Sequence, residues 1–118
     1  MRSLVNRVPV AVDFRAEVSE RLDTTIEAAA YFVVSEALTN VVKYAEATSA
    51  SVELKLTDDT LVVTIADDGI GGAELDGGSG LRGLVDRVHA VGGLLQVSSP
   101  PGEGTRLRAE LPSNVRWS

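Results

Sequence analysis

The sequence predicts an α+β domain of two layers, in which helices cover one face of a mixed, mainly antiparallel sheet. Three patterns lead to this prediction. Short runs of alternating apolar residues indicate strands, a stretch of about 20 residues without glycine or proline indicates a long helix, and a glycine-rich segment precedes a second helix. Because no linker or repeat interrupts the 118 residues, we expect one domain, with its core at about residues 8–112.

The first half of the chain contains a strand, the long helix and a hairpin. Alternation over Val8–Phe14 predicts the strand, which Pro9 places at a sheet edge. The capping-box pattern Thr24–Glu27 predicts a helix from about Thr25 to Ala45. Its apolar face is formed by Ile26, Ala30, Val33, Ala37, Val41 and Tyr44. The alternating runs Ser51–Thr57 and Leu61–Asp67, separated by Asp58, Asp59 and Thr60, predict an antiparallel hairpin.

The second half begins with a glycine loop. Seven of the 11 glycines lie between Gly69 and Gly83, which predicts a loop leading into a helix. That helix runs from about Leu81 to Val91, with Gly92 and Gly93 as its stop. A last hairpin pairs Leu94–Ser99 with Thr105–Leu111, and its water-facing side carries Arg106, Arg108 and Glu110.

Composition excludes several classes of function. With 17 acidic and 11 basic side chains the formal charge is -6, so we expect no nucleic-acid binding and no contact with anionic membranes. The absence of cysteine excludes thiolate metal sites and disulfides, and the single histidine, His89, excludes a histidine-cluster metal site. The longest apolar run, Ala28–Val34, is too short to span a membrane, so we expect a cytoplasmic domain.

Three polar features are candidates for chemistry. One edge of the first helix carries Glu36, Asn40 and Lys43, which suit a hydrated divalent cation beside phosphates. From the helix alone, a solvated i,i+4 patch with one ion pair explains them better. Asp67 follows Leu61, Val63 and Ile65 at a spacing of two, so it points inward, where it could accept a hydrogen bond from a ligand amine; the alternative is a simple Asp-Asp-Gly turn. The segment Gly78–Leu81 opens a helix, where backbone N–H groups favour an anion, or it is an ordinary loop.

The order of these motifs resembles the ATP-binding domain of sensor histidine kinases, within the superfamily of gyrase-type, chaperone-type and mismatch-repair ATPases. Residues Glu36–Ala45 look like the N box, Asp67–Gly71 look like the D-x-G-x-G box, and Gly78–Leu84 with Arg87 and Val88 resemble the second glycine box of the short-lid subfamily. The resemblance covers about Val8 to Pro112 and implies the Bergerat fold, with ATP and Mg²⁺ as ligands.

The resemblance also implies roles for single residues. Asn40 would bind Mg²⁺, Glu36 would orient a metal-bound water, and Lys43 would touch phosphate. Asp67 would receive the adenine N6 amine. The implied nucleotide-binding set is Asn40, Lys43, Asp67, Gly69, Gly71, Gly78, Ser79, Gly80, Leu81 and Thr105, with residues 72–79 as a short lid.

Two positions depart from the family pattern. Tyr44 stands where the N box has histidine, and we expect it to pack in the core. Asp68 stands where asparagine is usual, and its charge near the site is expected to weaken affinity. We expect Arg82 and Arg87 to be solvated charges and His89 to be a structural or surface residue.

The resemblance implies a catalytic domain that binds Mg-ATP and supplies the γ-phosphoryl group to a histidine on a separate dimerisation domain, and through it serves a response regulator. Without that domain the chain is expected to be a monomer that does not phosphorylate itself. Three alternatives stay open: a serine kinase of the anti-sigma-factor type, a non-catalytic module gated by nucleotide, and an α/β domain without nucleotide. Membrane anchoring of the parent protein is left open.

Overall fold

A five-stranded sheet and two helices make up the described part of the molecule. The structure, a computed structural model, describes residues 11–18, 22–42, 47–70 and 81–113. The strands are β1 (Ala11–Glu17), β2 (Ser49–Thr57), β3 (Thr60–Asp67), β4 (Leu94–Ser98) and β5 (Thr105–Pro112), and the helices are α1 (Thr24–Asn40) and α2 (Leu81–Ala90).

The order of strands across the sheet is β1-β2-β3-β5-β4. β1 runs parallel to β2, and the other three pairings are antiparallel. This confirms the predicted mixed, mainly antiparallel sheet and places β1 at its edge. Val8, Pro9 and Val10 of the predicted edge strand lie outside the described residues.

The turn between β2 and β3 is shorter than predicted. Thr60 pairs with Thr57, so only Asp58 and Asp59 form the turn. Both have positive φ, 48° and 64°, as a type I′ turn requires. Aspartate tolerates this conformation better than most residues, which explains the acidic pair at a hairpin tip.

The first turn of α1 is capped by Asp23, not by the predicted capping box. The Asp23 carboxylate accepts a hydrogen bond from the Thr25 N–H at 2.9 Å. The prediction placed the cap one residue late because Thr24 is also a good N-cap residue. At its other end the helix widens into a π turn at Val41 and Val42, and residues 43–46, with Tyr44, lie outside the described residues.

Both helices pack on the same face of the sheet. Apolar side chains that alternate along the strands, such as Val52, Val63 and Ala109, join the buried face of α1 in one core. The opposite face is largely polar: Glu53, Thr64 and Arg108 form one cross-strand row there. One buried and one open face give the predicted two-layer arrangement.

Helix α2 ends as its glycines predict. The Gly93 N–H donates to the Val88 carbonyl and the Gly92 N–H to the His89 carbonyl, and Gly92 has a φ of 82°, which together form a Schellman motif. Arg87 is exposed, as predicted, and it also contacts an aromatic ring. Its guanidinium lies 4.6 Å from the centre of the Phe32 ring and so links α2 to α1.

Within the described ranges, no helix has the length and apolarity needed to cross a membrane.

Candidate functional site

The polar edge of α1 contains two of the predicted site residues. Glu36 and Asn40 are half-buried and lie one turn apart, beside the buried Ala37. Asn40 is the last residue of the α-helical part, and the next residue, Val41, donates its N–H to the carbonyls of both Ala37 and Leu38. The Asn40 amide is therefore placed where the helix changes pitch. Lys43, the third residue of this edge, lies outside the described residues.

Asp67 occupies the end of the central strand β3. It pairs with Ala50 on one side and Thr105 on the other, so both neighbouring strands fix its backbone. It is half-buried and continues the inward row of Leu61, Val63 and Ile65 toward the layer that contains α1. The Gly69 N–H donates to Asp67 Oδ1 at 2.8 Å, which orients the carboxylate and leaves Oδ2 without a hydrogen bond from the described residues.

The loop between β4 and β5 supports Asp67 from the β5 side. Gly104 has a φ of 76° and packs directly on the Asp67 carbonyl. Next to it, the Thr105 hydroxyl and the Ser99 hydroxyl form a hydrogen bond of 2.6 Å. The Gly102 N–H donates to the Ile70 carbonyl at 2.6 Å. Sequence reasoning did not identify this support, although the closely spaced Gly102 and Gly104 were a signal for it.

Asp68 supports the same segment from the β2 side. Its Oδ1 accepts the N–H groups of Thr48 and Ser49 at 2.9 and 3.1 Å, and its Oδ2 accepts their hydroxyls at 2.7 and 3.0 Å. These bonds, led by the Thr48 hydroxyl, hold the pKa of the exposed Asp68 carboxyl well below its usual range. Thr48 and Ser49 were not among the predicted site residues, because nothing in their local pattern points to a site.

The start of α2 provides another predicted element. Leu81 is its first residue and its side chain is buried against the core. The first N–H groups of any helix have no partner within the helix, so the backbone at Leu81 can bind an anion. Helix α2 packs on α1, which puts this end on the same layer as Asn40. The remaining predicted residues, Gly71, Gly78, Ser79 and Gly80, and the lid at 72–79, lie outside the described residues.

The predicted site residues fall into separate clusters. Asp67, Gly69 and Thr105 are joined by strand pairing and a hydrogen bond, whereas Glu36 and Asn40 share a helix edge. Among the described residues no group of three or more histidine, cysteine, aspartate or glutamate side chains could hold a metal ion. Glu36 and Asn40 offer oxygen atoms only, a donor set that suits a hard, largely hydrated cation completed by a ligand's own oxygens.

An open cleft of about 620 Å³ borders the same strand ends from the β1 side. It is lined by Ala11, Val12, Asp13, Ser49, Ala50, Ser51, Ala66, Asp67 and Asp68. Glu36, Asn40, Leu81 and Thr105 do not line it. The cleft therefore shares Asp67 with the predicted site but not the residues of α1, α2 and β5.

The chain matches a known protein family over most of its length. Residues 25–115 match the family described as histidine kinase-, DNA gyrase B-, and HSP90-like ATPase. The matched range includes both strand hairpins, α2, all of α1 except Thr24, and every predicted site residue.

Named relatives are sensor histidine kinases. The chain is 35% identical over 98 residues to the oxygen sensor histidine kinase NreB of Staphylococcus carnosus, a match that covers 80% of this chain and 28% of NreB. It is 40% identical over 94 residues to the sensor histidine kinase NarS of Mycobacterium tuberculosis, which covers 74% of this chain and 22% of NarS. The chain therefore spans less than a third of the length of these relatives.

The fold also matches a solved structure. The blue-light activated histidine kinase EL346 of Erythrobacter litoralis superposes with a TM-score of 0.76 at 26% sequence identity. The superposition covers 95% of this chain and 39% of that protein. It confirms the predicted architecture of helices over one face of a mixed sheet.

Proposed function

Because the chain belongs to the histidine kinase-, DNA gyrase B-, and HSP90-like ATPase family, we propose that it supplies the γ-phosphoryl group of bound ATP to a histidine on a separate dimerisation domain. The chain has the ATP-binding domain of the sensor histidine kinase type. The observation that best supports the proposal is the placement of Asp67, a carboxylate held at the end of the central strand and aimed at the helix layer.

Asp67 is proposed to recognise adenine. An ionised carboxylate can only accept hydrogen bonds, so it selects a base that presents an amine over one that presents a carbonyl oxygen. Gly69 donates to one of its oxygens, and the other, which accepts no hydrogen bond from the described residues, is proposed to receive the N6 amine. Thr105, which pairs with Asp67, is proposed to help place a water between the base and the protein, together with Gly71.

The polar edge of α1 is proposed to hold the phosphate end of ATP through Mg²⁺. Asn40 would bind the ion through its amide oxygen, and Glu36 would orient a water on it; both offer the oxygen donors that Mg²⁺ requires. When bound, the ion would neutralise charge on the phosphate oxygens. Lys43 and the backbone N–H groups at Gly78, Ser79, Gly80 and Leu81 are proposed to contact the phosphates directly.

A calorimetric titration of this chain with ATP tests the site. We expect saturable one-to-one binding that weakens about tenfold, equivalent to one charge-assisted interaction, when Mg²⁺ is removed or when Asn40 is changed to alanine. Gln96→Ala, which removes an amide from the open face of the sheet, serves as the matched control and should leave the affinity unchanged. Absence of saturable heat at high ATP concentration, or an equal loss in both variants, would contradict the proposal.

The phosphoryl acceptor is proposed to lie on another domain, with a response regulator as the indirect partner. In the cell the domain is proposed to lie on the cytoplasmic side, where ATP is available. The isolated chain should bind ATP as a monomer and should not become phosphorylated. Incubation with radiolabelled ATP checks this, and label retained on His89 would contradict it. Added to a dimerisation domain from a related kinase, the chain should produce acid-labile phosphohistidine. Acid-stable phosphoserine would instead support the serine kinase alternative.

A further inference from the structure

Asp68 is the departure from the family pattern that the proposed function leaves unexplained. Its carboxylate accepts four hydrogen bonds, two from Thr48 and two from Ser49. We refer to this group of bonds as the Asp68 clasp. We propose that Asp68 is a positioning residue for ATP, which through the Asp68 clasp holds the neighbouring Asp67 carboxylate where it can receive the adenine amine. This inference rests on the proposed function.

The Asp68 clasp leaves this carboxylate little capacity for a ligand. An ionised carboxylate has about four acceptor positions, and each oxygen of Asp68 already accepts two bonds. Asp68 follows Asp67, the last residue of β3, and its carboxylate is bonded to the start of β2 and not to the helix layer. Asp68 therefore acts on a nucleotide bound on the helix side through the backbone and not by contact.

The backbone connection is short. The Asp68 N–H donates to the Ser49 carbonyl at 3.3 Å, while the Ser49 N–H donates to the Asp68 carboxylate at 3.1 Å. This exchange lies one residue beyond the last strand pair, Ala50 with Asp67. Without the side-chain bonds, a single long backbone bond would hold β3 to β2 beyond that pair. The end of β3 would then be free to shift. Even a shift by a fraction of a hydrogen-bond length would weaken the proposed bond to adenine, because hydrogen bonds require a narrow range of distances and angles.

The opposite side of the segment is held independently. Gly104 packs on the Asp67 carbonyl and Gly102 donates to the Ile70 carbonyl. Residues 67–70 are thus fixed from β2 by the Asp68 clasp and from β5 by the glycine loop. Loss of the Asp68 clasp alone should loosen Asp67 without unfolding the sheet.

The closing experiment compares ATP with purine riboside 5′-triphosphate, which differs from ATP only in lacking the N6 amine. For the chain with its own sequence we expect about a tenfold preference for ATP, the effect of one hydrogen bond to a charged acceptor. In Asp68→Ala we expect most of this preference to disappear, with little change in the affinity for the analogue. Asp68→Asn keeps an oxygen for both N–H groups and should retain most of the preference. Asp86→Ala, which removes the same charge from an exposed position of α2, should retain all of it.

A second route to the same test is the double change Thr48→Val with Ser49→Ala, which leaves Asp68 in place and removes both hydroxyl donors. We expect it to lower the preference for ATP about threefold, in line with losing half of the bonds. This variant decides the matter if Asp68→Ala fails to fold. An undiminished preference in the foldable variants, or an equal loss of affinity for both nucleotides, would overturn the positioning role. A native chain without any preference would overturn the adenine contact of Asp67 itself, and the positioning role with it.

Discussion

Two glycines in the loop between β4 and β5 offer a controlled test of how Asp67 is supported. Gly102 and Gly104 both have positive φ, 82° and 76°, so alanine is strained at either position for the same backbone reason. Only Gly104 is crowded. An added Cβ at Gly102 would meet open space, whereas at Gly104 it would overlap the Asp67 carbonyl oxygen and lie 3.2 Å from the carbonyl carbon.

The difference between the two substitutions can be estimated from this contrast. The left-handed conformation costs alanine about 1 kcal/mol relative to glycine, and this term applies to both variants. Overlap with a backbone carbonyl cannot be relieved by a side-chain rotation, so either β3 or the loop must move, at about 2 kcal/mol. Gly104→Ala should therefore lose about 3 kcal/mol of unfolding free energy and Gly102→Ala about 1 kcal/mol.

Urea unfolding and calorimetric ATP binding measure the two consequences separately. At about 4 °C per kcal/mol for a domain of this size, the two variants should also differ by about 8 °C in melting temperature. Because the displaced atom belongs to Asp67, Gly104→Ala should weaken ATP binding, and Gly102→Ala should not. Equal stabilities within about 0.5 kcal/mol would refute the idea that Gly104 is required by its approach to Asp67.

Three further changes have defined outcomes. Asp59→Gly relieves a positive φ of 64° in the hairpin turn and should raise the unfolding free energy by about 0.5 kcal/mol, measured in urea. Arg87→Ala removes the guanidinium from the Phe32 ring and should lower the free energy of unfolding by about 0.5–1 kcal/mol, and Arg87→Lys should have an intermediate effect. The pKa of Asp68 is lower in the folded state than in the unfolded state, so Asp68 stabilises the fold fully at neutral pH and progressively less as pH falls below about 4. When the free energy of unfolding is measured against pH, Asp68→Asn should therefore lose less stability in acid than the unchanged chain.

Local patterns were sufficient to predict the architecture. The period of two in β2, β3 and β5 and the long glycine-free helix are repeated signals, so an error at one residue does not change the element. The same reasoning placed Asp67 on the inward row, because its face follows from Leu61, Val63 and Ile65. The parallel partner of β1 could not be predicted, since a strand's neighbour depends on packing of the whole chain.

The errors fall where two adjacent residues compete for one role. Asp23 and Thr24 can both cap a helix, and the choice depends on backbone angles that the sequence does not contain. Thr60 could end the turn or begin β3, and pairing with Thr57 decides it. The contact of Arg87 with Phe32 is of a different kind: it could not be predicted, because Phe32 lies on a different helix. A contact between distant elements leaves no periodic trace in either of them.

The support of Asp67 has the same character and explains why the site is harder to predict than the fold. Three separate segments meet there: Thr48 and Ser49 at the start of β2, residues 67–70 at the end of β3, and Gly102 with Gly104 before β5. In the sequence alone, an ordinary turn explains the Asp-Asp-Gly string better. What distinguishes the two cases is the pair of strands on either side, which converts a flexible turn into a carboxylate with a fixed direction. Fixed direction is what the proposed recognition of the adenine amine requires, so the residues that hold Asp67 belong to the proposed site as much as Asp67 does.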